Sequence, residues 1–149
     1  MRGFNKPRKH EALKKWILAS KPLFGCLLET RVTQEEHSGI LSSSLPGRKA
    51  ITNYDYHRLG RIWVCWTEGV EITLLFKSAQ DITCAVKVSQ STTSFLFSAV
   101  YATNFVSDRT VLWDEIRATQ AAYSHLSIPW EITTKSCPQV NTLVLWTIG

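Results

Sequence analysis

Ile82-Thr83-Cys84-Ala85-Val86-Lys87-Val88-Ser89 places Ile82, Cys84, Val86 and Val88 in alternation with Thr83, Ala85, Lys87 and Ser89. A strand turns successive side chains to opposite faces, so this period of two marks a half-buried β-strand. Arg61 to Trp66, Glu71 to Lys77 and Phe95 to Tyr101 read the same way, separated by Glu68-Gly69 and by the polar run from Gln90 to Ser94. The stretch from Lys49 to Tyr101 is therefore expected to be an antiparallel meander.

Upstream, Leu23-Phe24-Gly25-Cys26-Leu27-Leu28 is apolar without alternation, as in a strand covered on both faces, and Glu29 stands at its C-terminal end. Residues 30–47 are polar and rich in Ser, with a Pro46-Gly47 turn signal, so a loop with at most a short helix is expected. Before them, Asn5 can cap a helix with Pro7 in its first turn. Leu13, Trp16 and Ile17 fall on one face of it, and Lys14 and Lys15 face outward. Pro22 disfavours helical geometry at Lys21, which sets the helix at about 7–20. Downstream, Ser107 or Asp108 opens a second helix with Leu112, Ile116 and Tyr123 on one face, ending near Leu126 ahead of Pro129. The order predicts an α/β fold: a layered sandwich with a mixed, mostly antiparallel sheet and two helices on one face. No fixed-period repeat is visible.

The 149 residues, 44% apolar and with six Trp, suit one compact domain and exclude a disordered tail. No apolar run reaches the roughly 18 residues of a membrane span, and the basic start has no apolar segment typical of a secretory signal. A soluble, intracellular protein is expected, in nucleus or cytoplasm, with no membrane partner; nothing in the sequence speaks to oligomeric state. Cys26, Cys65, Cys84 and Cys137 are widely spaced and read as reduced thiols, and the four His add no zinc-like spacing.

The net charge of +5 is unevenly placed. Residues 1–21 hold Arg2, Lys6, Arg8, Lys9, Lys14, Lys15 and Lys21 against Glu11 alone, which leaves the rest of the chain close to neutral. Such a segment is either a solvated helix face or a phosphate-contacting surface, because Lys and Arg release counterions from nucleic acid.

Three local sequences share one resemblance: Met1-Arg2-Gly3-Phe4-Asn5-Lys6-Pro7, Leu28-Glu29-Thr30-Arg31, and Tyr101-Ala102-Thr103-Asn104. Together they resemble the endonuclease/exonuclease/phosphatase (DNase-I-like) superfamily. Leu59-Gly60-Arg61-Ile62-Trp63-Val64-Cys65-Trp66 is similar to the version in plant non-LTR retrotransposon endonucleases. The likeness runs to about Trp130. It implies Mg²⁺-dependent hydrolysis of DNA, with Glu29 as the metal ligand and Tyr101 and Asn104 as catalytic residues beside the phosphate. It also implies an asparagine just before Met1, and a Gly-Asp-Phe-Asn strand end beyond Trp130, where Glu131 to Pro138 departs from that pattern. A later Asp-His pair has no counterpart.

Residues 1–130 are thus expected to be a truncated endonuclease domain and 131–149 a divergent tail. An incomplete sandwich is also expected to expose an apolar sheet face. Phosphodiester hydrolysis needs a positioned water, a base and positive charge at the reacting oxygens, so catalytic inactivity is expected. The alternative is a non-catalytic module that binds nucleic acid or another partner through its basic N-terminal helix, with Arg2, Lys6, Lys14 and Lys15 as the contacts. Without the resemblance, Glu29 reads as a solvated strand-end carboxylate, Tyr101 as a rim aromatic and Asn104 as a turn residue. Trp63 and Trp66, three apart, face opposite sides of their strand and read as core plus rim.

Overall fold

A computed structural model of the chain describes residues 7–89, 94–126, 128–135, 143 and 144. Its elements are α1 (Pro7–Ser20), β1 (Phe24–Leu28), α2 (Gln34–Ser44), β2 (Lys49–Thr52), β3 (Ile62–Trp66), β4 (Val70–Lys77), β5 (Asp81–Val88), β6 (Ser94–Tyr101), α3 (Val106–Tyr123), a 3-10 turn (Ser124–Leu126), β7 (Trp130–Lys135) and β8 (Leu143–Val144). The Asn5 cap lies outside the described residues. At the other end of α1, the Lys21 N–H donates to the Ile17 carbonyl at 2.8 Å with Lys21 at φ 45°, a left-handed close that Pro22 keeps from propagating.

The strands form two four-stranded sheets, ordered β2-β3-β1-β8 and β4-β5-β6-β7. The expected meander is thus divided between them. β3 pairs with β2 on one side and β1 on the other, so it has no free edge for β4. The chain crosses at Thr67 to Gly69 to the second sheet, where β4, β5 and β6 run antiparallel and β7 adds parallel to β6. The boundary expected at 130/131 therefore falls inside a strand.

Alternation decides the layers. Phe24, Cys26 and Leu28 of β1 and Ile62 and Val64 of β3 meet Ile82, Cys84, Val86, Phe97 and Ala99 between the sheets. The Phe24 ring meets Phe97 edge-on at 4.7 Å. The apolar face expected to lie open is covered by the second sheet. Leu27, Trp63 and Cys65 point the other way, against Leu13 and Ile17 of α1 and Ile40 and Leu41 of α2. Val100 turns outward to Leu112 and Ile116 of α3. The helices therefore divide over the two outer faces, two on one and one on the other. Trp63 is core and Trp66 leans into the sandwich, as their spacing requires.

The 11-residue α2 stands where the sequence reads as loop. Its signal is electrostatic: Glu35 and Glu36 occupy the first turn, where carboxylates favour the positive helix end, and Thr33 donates to Glu36 at 3.0 Å. With Ile40 and Leu41 as its only long apolar residues packed inward, its periodicity is faint.

Among the described residues Cys26, Cys65 and Cys84 are free and buried. Burial raises all three thiol pKa values, Cys65 and Cys84 to about 12. No described helix is long and apolar enough to cross a membrane.

Candidate functional site

At the C-terminal end of β1 the chain makes two left-handed residues, Glu29 at φ 58° and Arg31 at φ 52°. Side chains with a Cβ adopt this region at a steric cost that surrounding contacts must offset. The offset here is a hook around Gly60-Arg61. The Glu29 N–H donates to the Arg61 carbonyl at 2.7 Å, and the Thr30 hydroxyl donates to the Gly60 carbonyl. The hook buries the Glu29 side chain and sets its carboxylate 3.1 Å from the Arg31 guanidinium, while Arg31 stays partly exposed.

Gly60 itself is at φ 43°, and a Cβ there would enter the Tyr54 ring, whose hydroxyl donates to the Val32 carbonyl at 2.8 Å. Gly60→Ala should therefore cost about 2 kcal/mol of stability, from left-handed strain and displacement of Tyr54. Urea unfolding checks this; a change below about 0.5 kcal/mol would show that the turn relaxes freely.

Arg31 opens onto a cleft of about 520 Å³. His57 and Arg61 also line it, and the Arg61 guanidinium carbon lies 5.1 Å from the centre of the Tyr101 ring at the end of β6. The Arg61 Nε–H is buried and has no acceptor among the described residues. His57 is held below its ordinary pKa, first by burial and then by the charge of Arg61.

Gln80 organises the floor. Its Nε2 donates to the Asp108 carbonyl at 2.8 Å, its Oε1 accepts the Thr103 N–H at 3.0 Å, and its backbone carbonyl accepts the Tyr101 N–H at 2.9 Å. These bonds fix the 102–105 loop and the start of α3. The rim then carries Asn104 and Phe105, both exposed, and the α3 wall carries Asp108, Val111 and Glu115.

Of the residues singled out from sequence, Tyr101 and Asn104 line this cleft; Glu29 is outside the lining, with its carboxylate 3.1 Å from Arg31, which is in it. Lys14 and Lys15 sit on α1, half-buried and exposed, away from the lining. Arg2 and Lys6 lie outside the described residues. Arg31, His57, Arg61 and Gln80 were missed as site residues. Arg31 and Arg61 stand inside the two quoted motifs, but nothing in spacing shows that they converge.

Mg²⁺ takes oxygen ligands in octahedral geometry, commonly one or two carboxylates with substrate phosphate. Among the described residues no group of three or more His, Cys, Asp or Glu side chains could hold a metal ion, and the Glu29 carboxylate is paired with Arg31. These residues do not fit the ion.

No family model matches the chain, and no curated protein matches it by sequence. Among solved structures it is similar to the human Nocturnin catalytic domain with bound sulfate anion, at 16% identity and a TM-score of 0.58. The likeness covers 89% of this chain and spans 58% of that one. The fold is a DNase-I-like α/β layered sandwich.

Proposed function

We propose that this chain is an endonuclease/exonuclease/phosphatase-like protein of plant non-LTR retrotransposon descent that binds a phosphodiester of DNA in its cleft without hydrolysing it. The observation that carries the reading is the convergence of Arg31, Arg61, Tyr101 and Asn104 on one cleft at the ends of β1 and β6. A guanidinium suits an oxyanion because its fork of donors matches phosphate oxygens. The neighbour of the same fold carries a bound sulfate, an oxyanion of similar shape. The three motifs that resemble the superfamily add support.

Hydrolysis is a separate matter. It needs a base for the attacking water and positive charge at the oxygens that gain charge. Glu29 and Tyr101 stand in the motifs that resemble the family's, and the Glu29 carboxylate lies 3.1 Å from the Arg31 guanidinium. The sequence from Glu131 to Pro138 departs from the Gly-Asp-Phe-Asn pattern. Lacking those partners, the rate should fall by several powers of ten.

A plasmid-nicking assay with added Mg²⁺ tests this. We expect no cleavage above buffer, together with salt-dependent DNA binding that Arg61→Ala weakens. Robust nicking lost in Glu29→Ala would overturn the claim of inactivity and restore Glu29 as a metal ligand.

A second reading places the contact on α1, because Leu13 and Ile17 point inward and leave Lys15 exposed. Binding that is lost with Lys14→Glu plus Lys15→Glu but spared by Arg61→Ala would favour that surface.

A further inference from the structure

The cleft has walls of different chemistry. Arg31 and Arg61 enter it from the end of β1 and the start of β3, and Asp108 and Glu115 from α3. Phe105, at the rim, is 72% exposed; Val106 beside it is 69% exposed and Val111 below it 53%. Apolar side chains scattered singly over a surface need no explanation. Here two of them, Phe105 and Val111, line the same cleft as Arg31 and Arg61, and the aromatic one stands next to Asn104 in a loop that Gln80 holds in place. Its position is therefore fixed although its ring is bare.

We propose that Phe105 is a stacking platform for an unpaired nucleobase, which makes the ligand a single-stranded polynucleotide; this rests on the phosphodiester-binding reading of the cleft. The charge separation orients such a strand. Its backbone is attracted to the Arg31 and Arg61 wall and repelled by Asp108 and Glu115, so the bases turn toward α3 and the Phe105 ring. The carboxylates on that side accept hydrogen bonds from base N–H groups, the thymine N3–H among them, and repel phosphate. A duplex offers no base face to the ring, because its bases are stacked on one another, whereas every unpaired base has one.

The test uses the full chain and fluorescence anisotropy with three labelled probes: a twelve-residue oligothymidylate, an abasic oligomer of the same length, and a duplex. The thymidylate should bind roughly 10-fold tighter than the abasic strand, by the usual size of base–aromatic stacking. Phe105→Ala should remove that difference and leave abasic binding unchanged, while Phe105→Tyr retains it. Because the ring is exposed, the variant should unfold at the same temperature as the parent chain. Equal binding of thymidylate and abasic strands, both weakened by Arg61→Ala, would overturn the stacking role and leave the phosphate-binding cleft standing. Tighter binding of duplex than of single strand would also overturn it. If Arg61→Ala alters no probe, or none binds, the reading of the cleft fails and the stacking role with it.

Discussion

Asn53→Ala will lower the free energy of unfolding by about 4 kcal/mol, several times what loss of an exposed polar side chain costs. Asn53 is fully buried in the connection between β2 and β3. Its Nδ2 donates to the carbonyls of Ser78 at 3.3 Å and Ala79 at 3.1 Å, in the β4–β5 turn. Its Oδ1 accepts the Ile62 N–H at 3.1 Å, at the start of β3. One amide thus ties the first sheet to the second at the end that holds the cleft. Removing it strands a buried N–H and two carbonyls, each of which costs about 1–3 kcal/mol when left without a partner. Asn53→Asp should be no better, because a carboxylate keeps the acceptor for Ile62 but faces two carbonyls. Urea denaturation with an unchanged slope would measure the loss; a change under 1 kcal/mol would mean that the sheets are held together at this end by something else.

Asp81→Asn will remove a pH dependence of similar size. Asp81 is fully buried beneath α3, and burial raises its pKa from 3.8 to about 7, with Glu115 adding to the rise and the Thr83 hydrogen bond opposing it. The carboxyl ends a chain of donors: Trp130 Nε1–H to Ser98 Oγ at 3.0 Å, the Ser98 and Thr83 hydroxyls 2.6 Å apart, and the Thr83 hydroxyl to both Asp81 oxygens at 3.1 Å. The folded chain keeps a proton that the unfolded chain has released. The stability that Asp81 contributes is complete below about pH 4 and is lost as pH rises to about 7, at up to about 1.4 kcal/mol per pH unit. His37 and His57 act in the opposite direction. Their lowered pKa values, caused first by burial, withdraw stability as pH falls below 6.5. Urea unfolding at pH 4.5, 6 and 7.5, taken as the difference between parent and Asp81→Asn, isolates the aspartate. The variant should be the more stable at pH 7.5 by about 2–3 kcal/mol and gain nothing at pH 4.5. A difference independent of pH would show that Asp81 stays ionised in the folded chain.

Local patterns carried most of the elements. The alternation of β5, the apolar run of β1 and the spacing of Leu112 and Ile116 each report which face is buried, and the structure places them accordingly. Which strand neighbours which is another matter. The division of the 49–101 strands into two sheets follows from β1 and β2 occupying both edges of β3, a fact no single stretch contains. The site divides the same way. Tyr101 and Asn104, separated by two residues, line one cleft because they flank one strand end. Arg31 and Arg61 meet there across a turn in which Glu29 and Arg31 take left-handed backbone angles, which the residue types do not announce. Gln80 is invisible for a related reason: its value lies in bonding residues 23 and 28 positions away.

The three buried cysteines give the molecule built-in reporters of its own opening. A thiol whose proton is held to about pH 12 has almost no thiolate at neutral pH, so Cys65 and Cys84 should ignore iodoacetamide while the fold is closed. Cys26 and Cys84 lie between the sheets, whereas Cys65 lies under α1 and α2. Alkylation of Cys65 alone would signal helices lifting from an intact sandwich, and alkylation of Cys84 would signal the sheets parting.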